Sequence, residues 1–531
     1  MSGLPAELAG LLNAQAYSHS VRDIVLVETH LSWVLLTGEI AYKIKRPVRY
    51  PFADMRSQER RALLCQEEVR LNRRFAPELY LGTSRICRDG ATARMDGTGE
   101  PIETAVRMRQ FDRADELDRL LEDDRVDPEE LTRFGEALAD IHTTMPVARD
   151  TEPWGRADTL TNLLRRNLEE CLDAVQGLET GFDAAAARTS LGARLEAARG
   201  WLNERRSAGH VRECHGDLHA GNIVRLAGRL TPFDCIEFEP GFRWIDVADE
   251  IAFVIADIEA RGRPMHAHAF FNGYLERSGD YGACTHLELY KAHRSFVRAK
   301  ISALGARDAR GGAKESRALA QCRRYLEYGA RSLAPRRGGL ILMYGLSGSG
   351  KTWLARQLAP QLGAVHLRSD IERNRATGSD RIQPAASAHQ YTEEQRHRIY
   401  VRLADCARKV IAGGYTVIVD ATFQSRADRA LFRDMANELG IEPVLIHCKA
   451  AQDVLERRIR ERAEQGSDPS EATVEVLHQQ QRRLEAVESS EGLRILDAST
   501  TDPGMPARIA RQLAALSPRG ALSTGTGTLP P

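Results

Sequence analysis

Residues 340–352 read LILMYGLSGSGKT. Five apolar residues run into a glycine-rich loop, which closes on Lys351 and Thr352 and leads into the helix-like stretch WLARQLAPQL. The spacing G-x-x-x-x-G-K-[ST], behind a strand and ahead of a helix, is that of a phosphate-binding loop. Its glycines let successive backbone N–H groups converge on one anion, and the helix N-terminus adds partial positive charge. Gly345, Ser347, Gly348, Ser349 and Gly350 are the expected cradle. Lys351 is expected to bridge the terminal phosphates, and Thr352 to offer its hydroxyl to Mg²⁺.

Downstream, the short apolar runs AVHLR, YTVIVDATF and PVLIHCK alternate with helical stretches. That alternation predicts a parallel α/β sheet with helices on both faces. Asp370 follows the second strand at the carboxyl edge, where such sheets present ligands, and is placed to orient or deprotonate a hydroxyl. Asp420 ends TVIVD and is expected to hold the water shell of Mg²⁺. Arg458 and Arg462, four apart in LERRIRER, share one helix face; they either clamp a phosphate or belong to a solvated surface. Residues 340 to about 500 resemble the P-loop kinases of the zeta-toxin, gluconate-kinase and polynucleotide-kinase type. The resemblance implies ATP as donor, Asp370 as base and Arg458 and Arg462 as a lid. It also places Gln424, Arg426 and Arg429 where such kinases grip the acceptor.

Upstream, residues 215–222 read HGDLHAGN. Asp217 and Asn222 reproduce the D-x-x-x-x-N spacing of a kinase catalytic loop, in which the aspartate takes the hydroxyl proton and the asparagine holds Mg²⁺. Asp234, after a hairpin expected to turn at Gly228, is the expected second metal ligand. IAYK (40–43) puts Lys43 on a strand as the lysine for the α/β-phosphates, with Lys45 two residues on. The following helix offers Glu68, or alternatively Glu59, as partner to the lysine. AVRMRQF, with Met108, is the hinge strand against the nucleotide. Residues 20–330 resemble the aminoglycoside phosphotransferase and choline-kinase family, a branch of the protein-kinase-like fold, whose H-G-D-x-H-x-x-N loop is matched at His215, Gly216, Asp217, His219 and Asn222. Departures exist. ETHLS, with Thr29, His30 and Ser32, stands where a glycine-rich loop would precede the lysine, and Glu237 and Glu239 are extra acids after Asp234. Asp246 and Asp249 are expected to cap a helix and brace the loop. Lys291, Arg294 and Arg298 fall along one helix face, suited to an anionic acceptor or simply solvated.

At 531 residues the chain is long enough for two or three domains. The expected architecture has two: an N-terminal α+β protein-kinase-like bilobal fold (1–333) and a C-terminal α/β P-loop kinase with a parallel sheet (340–515). Residues 334–339, APRRGG, are the expected linker, and 516–531 a disordered Gly/Thr/Pro-rich tail. Lys+Arg 74 against Asp+Glu 74 leaves no net charge, and no aromatic-plus-basic stretch occurs, which argues against a nucleic-acid partner. No apolar run is long enough to span a membrane, and the N-terminus lacks the basic start and long apolar core of a signal peptide. Nine cysteines without a C-x-x-C pair fit reduced thiols in the cytoplasm. The expectation is therefore a bifunctional phosphotransferase with two Mg·ATP sites and small-molecule hydroxyl acceptors. The alternatives are a P-loop kinase gated by a weakly active N-terminal domain, or a nucleic-acid end kinase.

Overall fold

The computed structural model describes residues 3–50, 53–90, 92–309, 311–376, 393–465 and 473–516. The expected tail thus lies, from 517 on, outside the described residues. The chain forms two compact units, one of residues 1–130, 140–177 and 195–258, the other of 131–139, 178–194 and 259 onward.

In the first unit, strands Val25–Glu28, Ser32–Leu36, Ile40–Lys45, Pro101–Arg109, Tyr80–Asp89 and Thr92–Met95 form, in that spatial order, an antiparallel six-stranded sheet. Side chains alternate across it. Trp33, Leu35, Tyr42 and Ile44 point to one face, where Leu8 and Leu11 of the N-terminal 3₁₀ turn Ala6–Leu12 cover them. On the other face Val106 and Met108 pack with Cys65 and Val69 of the helix Gln58–Asn72. That helix starts where the Ser57 hydroxyl accepts from Arg60 N–H, a cap that satisfies one of the orphan donors of the first turn. The hairpin Ile223–Leu226/Arg229–Pro232 does turn at Gly228, with Ala227 and Gly228 both at positive φ.

In the second unit, strands Val365–Arg368, Val417–Asp420, Leu340–Tyr344, Val444–Lys449 and Arg494–Ser499 form a five-stranded, wholly parallel sheet in that order. Leu340–Tyr344 and Val417–Asp420 are buried at every position, as strands covered on both faces must be. Leu354 and Leu358 of the helix Lys351–Leu362, with Ile509 and Leu513 of Met505–Leu516, fill one face. The fifth strand was not expected. As an edge strand of mostly exposed residues, RILDAS carries little apolar signal. Helices Pro264–Ser278, Leu287–Ala309 and Gly312–Leu333 belong to this same unit. Residues 334–339 have no helix or strand, although Arg336 Nη1 donates to Glu288 Oε1 at 2.6 Å. Among the described residues no helix is long and apolar enough to cross a membrane, and all nine cysteines are free and buried.

Candidate active sites

Strand alternation puts Lys43 and Lys45 on the face covered by the helix Gln58–Asn72. Lys43 Nζ donates to Glu68 Oε1 at 2.9 Å and also to Asp234. Lys45, 1% exposed, is bonded to Glu68 and to Glu237. Glu68 therefore bridges two lysines while wholly buried, whereas Glu59 is exposed. Burial pulls the Lys43 pKa down, but Asp234 and Glu68 more than offset it and hold it well above the usual lysine value. Asp234 takes up a left-handed backbone, φ 66°, which non-glycine residues seldom adopt. Its N–H donates to the Tyr80 hydroxyl at 3.0 Å, and the next N–H donates to Asn72 Oδ1 at 3.0 Å.

HGDLHAGN is held from behind. Asn222 Nδ2 donates to Asp217 O at 2.9 Å and to Asp217 Oδ2 at 3.2 Å. His215 is buried, and desolvation lowers its pKa. The neutral ring donates from Nε2 to Phe233 O at 2.8 Å and accepts Asp217 N–H at Nδ1 at 3.3 Å. Gly216 is required as glycine: φ is 89°, and a Cβ there would lie 2.7 Å from Phe242 O. Glu250, on the helix Val247–Ala260, accepts from His215 N–H at 2.9 Å and Gly216 N–H at 2.8 Å, with His142 Nε2 at 3.3 Å. Burial alone would raise its pKa, but His142 and the loop donors bring it down to about 2. Seven residues on, Asp257 Oδ2 accepts from Ala220 N–H at 3.0 Å.

In the second unit the phosphate-loop glycines are closed to any other residue. A Cβ on Gly345 would lie 2.6 Å from Cys448 O, and one on Gly348 2.7 Å from Leu455 O. Lys351 Nζ donates to Leu346 O at 2.9 Å, and burial lowers its pKa in spite of the nearby Asp420. Asp420 is buried too, which would raise its pKa. His366 at 3.3 Å, Lys351 and the Thr352 hydroxyl bring it instead to about 2. Ser347 N–H is taken by Gln480 Oε1 at 2.9 Å, and Thr500 Oγ1 donates to Ser349 O at 2.6 Å. Asp370 is bound at both oxygens by Arg368, at 2.8 and 3.2 Å.

Beside this loop, the buried atoms Ser349 Oγ and Arg462 Nη2 have no hydrogen-bond partner among the described residues. Orphaned donors, a cradle that excludes any Cβ, and the hard oxygens of Thr352 and Asp420 together fit a polyphosphate carrying Mg²⁺. In the first unit, the amide oxygen of Asn222 and the carboxylate of Asp234 are oxygen donors of the same kind, beside a protonated lysine.

Residues 46–286 match the family model described as phosphotransferase enzyme family, and residues 340–487 match one described as an AAA domain. The chain is a phosphotransferase that fuses two kinase-like domains. Uncharacterized proteins of Mycobacterium tuberculosis and Mycobacterium bovis are 29% identical to it over 465 residues, 86% of this chain and 90% of theirs. Among solved structures, a choline/ethanolamine kinase family protein from Mesorhizobium loti is similar over 60% of this chain and 94% of its own, at 12% identity and TM-score 0.33. A gluconokinase from Sinorhizobium meliloti is similar over 35% of this chain and all (100%) of its own, at 20% identity and TM-score 0.25.

The structure sorts the other candidate residues of the fusion. Met108 lies on the Lys43 face of its strand, paired in register with Ala41 and Tyr80. The two lid arginines divide. Arg458 is spent inside the fold, donating from Nη1 to Gly348 O at 3.3 Å and Thr500 Oγ1 at 2.9 Å, so it braces the loop. Arg462 keeps a nitrogen unbonded. Arg429 is wholly buried in a two-pronged bond to Glu491, at 2.7 Å on each prong, and so is not placed to grip an acceptor. Arg426 is exposed and pairs with Glu488 at 3.1 Å, while Gln424 is buried. The basic stripe is internal: Lys291 is buried against Glu259 at 3.0 Å and Glu288 at 2.9 Å, Arg294 is buried as well, and Arg298 lies over the Tyr325 ring. Thr29 closes its own turn, its hydroxyl bonded to Ser32 O and N–H. Glu239 caps a short helix at Gly241 N–H. Asp246 caps Ala248 N–H at 2.8 Å and pairs with Arg205, while the bracing of the loop falls to Glu250 and Asp257. Those two were missed, although acids seven apart within the apolar run VADEIAFVIAD share one face of a buried helix. His366, Gln480 and Thr500 carry no local signal of their own.

Proposed function

We propose that the chain is bifunctional, with one Mg·ATP site around Lys43, Asp217, Asn222 and Asp234 and another around the loop 345–352. Each passes a γ-phosphoryl group to a hydroxyl of a small molecule in the cytoplasm. The proposed domain boundaries are 1–333 and 340–515, joined by 334–339. Mg·ATP, when bound, supplies the phosphoryl group and spreads the charge that develops during transfer.

Within the first site, Asn222 steadies Oδ2 of Asp217 at 3.2 Å, leaving Oδ1 for the proton of the acceptor hydroxyl. Lys43 is kept charged by Asp234 and Glu68 for an α/β-phosphate, and Asn222 and Asp234 are the metal ligands. Within the second, the loop N–H groups, Lys351 and Arg462 receive phosphate oxygens, and Thr352 with Asp420 holds the metal. A carboxylate bound at both oxygens by Arg368 orients a hydroxyl rather than stripping its proton, and this is the role assigned to Asp370.

One observation favours catalysis in the first site over mere gating of the second. The lysine, base and metal-holding groups are all retained: Lys43, Glu68 and Asp234 form one ion-pair chain, and Asp217 and Asn222 are hydrogen-bonded to each other. The test is ADP release over a panel of sugars, amino alcohols, aminoglycosides, nucleosides and 5′-hydroxyl oligonucleotides, for wild type, Asp217→Asn and Lys351→Ala. An acceptor whose turnover falls roughly a hundredfold or more in Asp217→Asn alone assigns a kinase to the first site. If every stimulated turnover survives Asp217→Asn and vanishes in Lys351→Ala, the first domain is a regulator.

A further inference from the structure

Strand Val365–Arg368 is the outermost of the parallel sheet on its side. An outer strand presents a row of backbone groups that no neighbouring strand takes up. Here the helix Pro264–Ser278 takes two of them and also reaches a side chain of the strand. His268 Nε2 lies 2.6 Å from Ala364 O, Asn272 Oδ1 accepts His366 N–H at 2.8 Å, and Glu276 Oε1 lies 3.5 Å from Arg368 Nη1. Residues 268, 272 and 276 are spaced by four and so line one helix face. Arg375 Nη2 adds a bond to Glu276 O at 2.5 Å.

The two residues held in this way hold the two acids of the phosphate-loop site. His366 Nε2 lies 3.3 Å from Asp420 Oδ2, and Arg368 binds both oxygens of Asp370. Each acid is thus one side chain removed from a helix that precedes residue 334 in the sequence. A helix that only shielded a sheet edge would need bulk or charge at these positions, not an acceptor aimed at a single N–H group.

We propose that Asn272 and Glu276 are positioning residues of the phosphate-loop site, Asn272 setting His366 against Asp420 and Glu276 setting Arg368 against Asp370. The proposal rests on the reading of Asp420 as the metal-holding acid, and it makes residues 340–515 incomplete as a site on their own.

The test uses the full chain carrying Asp234→Asn, which removes a metal ligand from the first site. ADP is titrated by calorimetry with Mg²⁺ and with EDTA, and amide exchange is followed at His366. Asn272→Leu, close in size but without the acceptor, is expected to cut the Mg²⁺ enhancement of ADP affinity roughly tenfold, equivalent to about 1.4 kcal/mol. Affinity in EDTA should stay within about twofold, and His366 exchange should quicken. Asn272→Asp keeps the oxygen and should restore most of both. Glu276→Gln should lower kcat with the KM for ATP unchanged. An unchanged Mg²⁺ enhancement in folded Asn272→Leu, or equal damage in the Leu and Asp variants, overturns the proposal. If the parent shows no Mg²⁺ enhancement, or Lys351→Ala leaves its ADP binding intact, the reading of Asp420 and the loop falls, and the inference falls with it. Exchange at His366 then still reports whether Asn272 holds the strand.

Discussion

Lys43 and Lys351 are assigned the same task and are kept in opposite electrical surroundings, which shift their pKa values in opposite directions. Lys43 sits among acids, bonded to Glu68 and Asp234, with Lys45 and Glu237 extending the chain of charge. Lys351 donates to a backbone carbonyl, and its pKa is lowered by burial. The first site is therefore nearly neutralised from within, and an incoming phosphate competes with Asp234 for the lysine. In the second, Arg462 Nη2 and Ser349 Oγ are unbonded among the described residues beside the buried Lys351, so under the proposed reading an incoming phosphate would relieve a cost already present. On the proposed reading, charge in the first site chiefly specifies the fold, and charge in the second is held for the ligand.

The largest expected effect follows directly. Lys45→Met strands the carboxylate of Glu237 in the interior, leaves Glu68 with Lys43 alone, and should destabilise the first unit by about 3–5 kcal/mol, read from its denaturant transition. Lys351→Met removes an incompletely paired buried charge and should change the stability of the second unit by less than about 1 kcal/mol while abolishing nucleotide binding there. Equal losses in the two units would erase the distinction.

Acid titration sharpens it at the next level. Glu250 has its pKa lowered from 4.5 to about 2, so below pH 4.5 the unfolded chain takes up a proton that the folded chain refuses. Its contribution, about 3 kcal/mol, is complete above pH 4.5 and is lost as pH falls towards 2. Glu250→Gln should flatten the acid limb of the first unit's stability profile. Asp420, lowered from 3.8 to about 2, should give the second unit a smaller acid limb of the same sign, about 2 kcal/mol.

How much of this was legible depended on where each interaction runs. The phosphate loop and HGDLHAGN are local: their glycines, lysine and aspartate sit at fixed spacings because neighbouring backbone atoms do the work. Glu68 could be preferred to Glu59 only by analogy of its surroundings, since a helix's distance from a strand is not written in either segment. Lys291, Arg294 and Arg429 misled because a buried cation has the same letters as a solvated one. Thr500, Gln480 and His366 were out of reach. Each acts through a side-chain bond to an element more than 50 residues away in sequence, 151 in the case of Thr500 and Ser349.

The smallest effect is a fraction of a proton, and it bears directly on the contrast between the lysines. Because the folded pKa of Lys351 is lowered, part of its population is uncharged between that value and 10.5. A phosphate brought against it favours the ammonium form, so nucleotide binding at the loop must take up protons in that window. The apparent affinity should then weaken as pH rises, by at most about tenfold per pH unit. Lys43 is already held in the charged form over the same range, so binding at its site should draw no proton to that lysine. Calorimetry of ADP with Mg²⁺ at pH values stepped upward to 10.5, in two buffers of different ionisation enthalpy, separates the cases: Asp234→Asn leaves the loop site to be read, and Lys351→Ala leaves the first site. Uptake in the Asp234→Asn chain with none in the Lys351→Ala chain keeps the two lysines distinct. Uptake of similar size in both would mean that burial, not pairing, governs Lys43 as well, and that the acids around it are turned to some other partner when nucleotide arrives.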